Sequence, residues 1–142
     1  MITWQNRDNE IAEGCFKSRI FKNEDEDFLF ICLEKTGYED YAEKCVDMFN
    51  SLDDDTIDTI CEGIIKCAEE GGLEEDFELP ELDDVRDILD FCWFTTVYVS
   101  APKDESKICF AVEGEGEWGE VVGFVIKDGK VTYVGTEFFD EQ

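Results

Sequence analysis

Carboxylates constrain this chain more than any other feature: 38 Asp and Glu face 12 Lys and Arg, a formal charge of −26 over 142 residues. A compact state must hold that charge at its surface and still bury enough apolar area to outweigh its self-repulsion. The apolar side is well supplied, at 43 % hydrophobic and 13 % aromatic with twelve Phe, unlike acidic disordered tails, which are poor in such residues. The length suits a single domain over 1–142. Direct nucleic-acid binding is excluded, because it needs Lys and Arg to displace counterions from phosphates, and an anionic membrane surface is excluded on the same ground.

The chain has no histidine, which removes Ser-His-Asp and Cys-His catalysis from it. Its seven cysteines, at 15, 32, 45, 61, 67, 92 and 109, include no C-x-x-C pair, so zinc ribbons and thioredoxin-like redox motifs lack their spacing. Cys45, Cys61 and Cys92 fall in apolar stretches and are expected to be free, buried thiols, as suits a reducing cytosol. Residues Met1 to Asp8 carry no long apolar segment, and no run approaches a membrane span. A cytoplasmic protein is expected.

Ile2 to Gln5, Cys15 to Phe21 and Phe28 to Leu33 read as short strands between polar breaks. Two helices follow. Thr36-Gly37-Tyr38-Glu39 has capping-box spacing, and Tyr38, Tyr41, Ala42, Cys45, Met48 and Phe49 recur on one helical face. The second helix starts in Asp53-Asp54-Asp55, where carboxylates complement the helix dipole, presents Ile57, Ile60, Cys61, Ile64, Ile65 and Ala68, and ends at Gly71-Gly72. An acidic connector, Leu73 to Leu79, leads through Pro80 to a short third helix carrying Leu82, Val85, Ile88 and Leu89. From Cys92 the pattern turns to β, with strands at Cys92 to Ser100, Ile108 to Glu113, Val121 to Lys127 and Lys130 to Val134, the last two joined by Asp128-Gly129. With neither an alternating βαβ rhythm nor a repeat, the expected fold is α+β. It is an antiparallel sheet, a C-terminal meander plus N-terminal strands, with two to three amphipathic helices on one face.

Eleven carboxylates crowd into Glu69 to Asp90 against Arg86 alone. They form either a solvated connector that keeps the protein soluble or a surface complementary to a basic partner, with Glu74, Glu75, Asp76, Glu78, Asp83 and Asp84 as its contact residues. The segment Val112 to Glu120 combines Glu113, Glu115, Glu117 and Glu120 with Trp118 and three glycines. It reads as a binding loop, or else as a bulged hairpin whose Trp118 folds back on the sheet. Its G-x-G lacks the strand-to-helix context of a phosphate loop. Asp53 to Asp58 lacks the glycine and final Glu of an EF-hand, so no metal and no cofactor are expected. Among so many acids a glycosidase-like pair arises by chance, so the expectation is a protein that is not an enzyme.

Ile88 to Val99 and Glu113 to Lys127, together with Tyr41-Ala42-Glu43-Lys44-Cys45, resemble small acidic bacterial immunity proteins encoded beside polymorphic or contact-dependent growth-inhibition toxins. The resemblance implies a cytosolic protein that binds and neutralises a toxin domain, often a basic nuclease. The composition independently suits this, because a nuclease carries a basic groove that an acidic protein with aromatic anchors can cover. The expected partner is therefore a basic protein. Two alternatives stand beside it: a nucleic-acid mimic that inhibits a defence nuclease, and a small carboxylate-dependent metal-binding protein or enzyme. The oligomeric state is open.

Overall fold

The computed structural model describes every residue except 1, 24–25, 71–80, 103, 105, 118 and 139–142, and of residue 70 the backbone alone. Among the described residues, seven strands form one sheet whose spatial order is the chain order: β1 (Thr3–Arg7), β2 (Ala12–Lys17), β3 (Phe28–Leu33), β4 (Cys92–Val99), β5 (Cys109–Gly116), β6 (Val121–Lys127) and β7 (Lys130–Gly135). Helices α1 (Glu39–Phe49) and α2 (Asp54–Glu70) and a 3₁₀ helix (Val85–Phe91) lie between β3 and β4. The fold is α+β, as expected. β4 to β7 form the antiparallel meander, and Asp128 (φ 50°) and Gly129 (φ 82°) take the left-handed angles that a type I′ turn requires.

The sheet departs from the expected antiparallel pattern at one seam. β3 runs parallel to β4, with Phe30 beside Thr96 and Leu33 beside Val99. A parallel pair needs a crossover, and the helices supply it. Three local expectations also change. β2 starts earlier and ends at Lys17, because the chain leaves the sheet at Ser18 and Arg19, where the Asn50 side chain accepts from the Arg19 N–H and donates to the Lys17 carbonyl (both 2.9 Å). Thr36 does not cap α1; its hydroxyl donates to the Asp8 carbonyl, and Tyr38 holds the N-cap position with no side-chain cap. The third helix is 3₁₀, and Asp84 and Asp87 build the capping box at its start. The helix end at Gly71-Gly72, the Leu73 to Leu79 connector and Pro80 lie outside the described residues.

One sheet face and the helices enclose the core. α1 contributes Tyr41, Ala42, Cys45, Val46 and Phe49, and α2 contributes Ile57, Ile60, Cys61, Ile64 and Ala68. Inside sits a phenylalanine cluster centred on Phe21, whose ring centroid lies 5.4 Å from Phe49, 5.1 Å from Phe94 and 5.2 Å from Phe124. Such edge and tilted contacts add about 0.5–1.5 kcal/mol per pair beyond area burial, which is a use for the high Phe content. Tyr41 ties α1 to the start of β5. Its hydroxyl accepts from the Cys109 N–H (2.9 Å) and donates to the Lys107 carbonyl (3.1 Å). All seven cysteines are free thiols, with Cys45, Cys61 and Cys92 buried. Among the described residues no helix is long and apolar enough to cross a membrane.

Candidate functional site

Among the described residues, the second face of the sheet is covered at one end only. There Ala111 and Val125 pack under Phe138, with Cys109 and Tyr133 alongside. The chain after β7 is held down by the Tyr133 hydroxyl, which accepts from the Glu137 N–H (3.0 Å). Gly123 lies beneath Phe138; a Cβ there would overlap the ring and sit 2.5 Å from the Val112 carbonyl oxygen.

Toward β2, β3 and β4 the same face is open. Phe28 and Phe30 on β3 are 53 % and 52 % exposed, an unusual state for two large apolar side chains on an interior strand of a seven-stranded sheet. Leu29, Ile31 and Leu33 between and beyond them fill the core face. Strand register arranges the open face in rows. One row runs Cys15, Phe30, Thr96, Glu113, and the next runs Glu13, Cys32, Tyr98, Ala111. Trp93, half-buried, stands opposite Glu115. A cleft of about 430 Å³ crosses the first four strands, walled by Gln5, Glu13, Phe30, Cys32, Thr96 and Tyr98. Gln5 reaches it from the irregularity in β1 between Trp4 and Asn6, and its side-chain amide donates to the Cys15 sulfur (3.5 Å).

The electrostatics there favour protonated, neutral side chains among carboxylates. Burial pushes the Tyr98 hydroxyl pKa up, and the charge of Glu113 pushes it further. Burial likewise raises the Cys32 thiol, with Glu13 and Glu34 adding to the shift. At neutral pH the face therefore presents aromatic rings, the Tyr98 phenol and the Cys32 thiol among carboxylates.

The residues expected to carry function divide into three groups. Glu113 and Glu115 belong to this open face, on β5. The expected binding loop is shorter than its sequence suggests, because β5 pairs with β4 and β6 as far as Gly116, leaving only a tight turn closed by the Gly119 N–H on the Gly116 carbonyl (3.0 Å). Glu117 begins that turn and faces a separate cleft of about 600 Å³ with Lys22, Arg86, Asp90 and Trp93. Glu120 lies beside Val121 and Tyr133. Asp83 and Asp84 stand exposed at the start of the 3₁₀ helix, where the Asp84 carboxylate accepts from the Arg86 N–H (2.9 Å). Trp118, Glu74, Glu75, Asp76 and Glu78 lie outside the described residues. Arg86 is taken up structurally: its Nε reaches Asp58 (2.8 Å) and its Nη2 reaches Asp54 (2.9 Å), joining the 3₁₀ helix to α2. Asp53, considered above within an acidic run, caps α2 by accepting from the Thr56 N–H (2.7 Å). Among the described residues no group of three or more Cys, Asp or Glu could hold a metal ion.

Residues 3–138, nearly the whole chain and with it both faces of the sheet, match the family described as domain of unknown function (DUF6985). The chain belongs to the DUF6985 family. No curated protein and no solved structure matches this DUF6985 chain. Sequence reading had missed the centre of its open face, Glu13, Phe28, Phe30 and Tyr98. Phe28-Leu29-Phe30-Ile31-Cys32-Leu33 is apolar throughout, so it lacks the alternation that marks a half-exposed strand. The available signal lay next door in β2, where Glu13, Cys15 and Lys17 alternate with Ala12, Gly14 and Phe16.

Proposed function

We propose that this chain is a non-catalytic binding protein that neutralises a basic protein, in the manner of an immunity protein covering a toxin domain of the nuclease type in the cytoplasm. The supporting observation is the open face itself: exposed Phe28 and Phe30, with Trp93 and Tyr98 alongside, on a rigid sheet and edged by Glu13, Glu113 and Glu115. Aromatic anchors on a preformed surface set residence time, since they lose little freedom on binding. The surrounding charge speeds encounter with a basic surface and disfavours acidic competitors. The resemblance to immunity proteins of toxin systems supports the same reading from the sequence side.

The test is retention from native lysate. The tagged wild type and a Phe28→Ser/Phe30→Ser double variant are each immobilised at low and at high salt, and what they hold is identified. The expected result is one basic protein held stoichiometrically by the wild type, weakened but not released by salt, and lost from the variant. Equal retention by both proteins, or none by either, counts against the proposal.

A further inference from the structure

We infer that the cleft on the open face is a seat for an arginine side chain of the basic protein partner. The inference rests on the binding reading above and specifies which side chain is taken and where.

The walls of the cleft are unequal in chemistry. Phe30 offers a half-exposed ring, Glu13 an exposed carboxylate, and Gln5 a side-chain amide oxygen, with Tyr98 on the opposite wall. A guanidinium is planar, weakly hydrated and forked, so it can lie on the ring and direct its N–H groups to the carboxylate and the amide oxygen together. An ammonium can meet the carboxylate but has no flat face to lay on Phe30. Other occupants are disfavoured by what stands there. A second copy of this chain would bring another charge of −26, and a phosphate backbone or an anionic bilayer would meet the same repulsion. A neutral apolar peptide would strip water from Glu13 and Glu113 and give them no partner. Lys17, two residues beyond Cys15 on β2, is paired with Asp27.

The experiment titrates isotope-labelled protein with two capped pentapeptides, Gly-Arg-Gly-Arg-Gly and Gly-Lys-Gly-Lys-Gly, and follows NMR shifts. Saturable shifts are expected at Phe30, Cys32, Thr96 and Tyr98, with the arginine peptide about threefold tighter because its planar guanidinium stacks on the ring as an ammonium cannot. Phe30→Ala should abolish that preference, and its half-exposed ring leaves the core untouched; Glu13→Gln should weaken both peptides. Equal affinities, or shifts scattered over the acidic surface without saturation, would overturn the seat. So would a preference for arginine that survives Phe30→Ala. The two proposals fail separately. A partner retained equally by wild type and by Phe30→Ala/Glu13→Gln removes the seat and leaves the binding reading standing. Arginine selectivity at the cleft with no partner in the lysate does the reverse.

Discussion

Tyr41 shows how much a single side chain carries here. It is buried, packs α1 into the core, and its hydroxyl serves the backbone at the start of β5. Burial pushes its pKa from 10 to about 12, and burial pushes the thiols of Cys45, Cys61 and Cys92 from 9 to about 12. Folded values above unfolded ones mean that the native state holds protons the unfolded chain has released. Stability is therefore complete below pH 9 and is lost as pH rises from there toward 12. Denaturant melts across that range should show the decline. Tyr41→Phe should lower stability at neutral pH by about 1–3 kcal/mol, because the Cys109 N–H loses its acceptor, and should flatten the portion of the decline above pH 10. A variant that declines as steeply as the wild type above pH 10 would show that Tyr41 is not its source.

At the scale of elements, Arg86 is the joint between the 3₁₀ helix and α2. Arg86→Met keeps the side chain's length and removes both ion pairs. It should lower the melting temperature, narrow its gap to wild type in high salt, and speed hydrogen exchange in Val85–Phe91 more than in β5 or β6. A melting temperature equal to wild type at low salt would show the pairs to be incidental. The elements also show what a sequence can convey. Asp128-Gly129 announced the last hairpin because few residues tolerate its backbone angles. The stripes of α1 and α2 were legible because their buried residues follow a helical period. Leu82, Val85 and Ile88 fit a 3₁₀ helix as well as an α-helix, since an i, i+3 spacing serves both. The parallel seam had no local signature, because strand direction leaves the side-chain pattern of Phe28–Leu33 unchanged. The candidate site was half legible. Glu113 and Glu115 stood out by charge, whereas Phe28 and Phe30 looked like core and only their place on the second face distinguishes them.

Over the whole molecule, one side of the sheet meets the helices, and among the described residues the other lies under Phe138 at one end and is open at the other. The strand order, which repeats the chain order with a single parallel junction, also bears on the route by which the chain reaches its native state. β1 to β3 and β4 to β7 are two meanders whose pairings are local in sequence, so each can zip from its own turns in microseconds. Joining them requires closure of the long connection from residue 34 to residue 91, and the entropy of that closure must be met before any seam contact compensates it. The seam should then set the folding rate. Ile31→Val and Val97→Ala, both at buried seam positions, are expected to slow refolding in stopped-flow chevrons, while Ile126→Val in the last hairpin chiefly hastens unfolding. Unchanged refolding arms for the two seam variants would place the barrier elsewhere. A chain built this way folds as two ribbons that meet late, and until they meet, β3 and β4 each offer a bare apolar edge on which misassembly can begin.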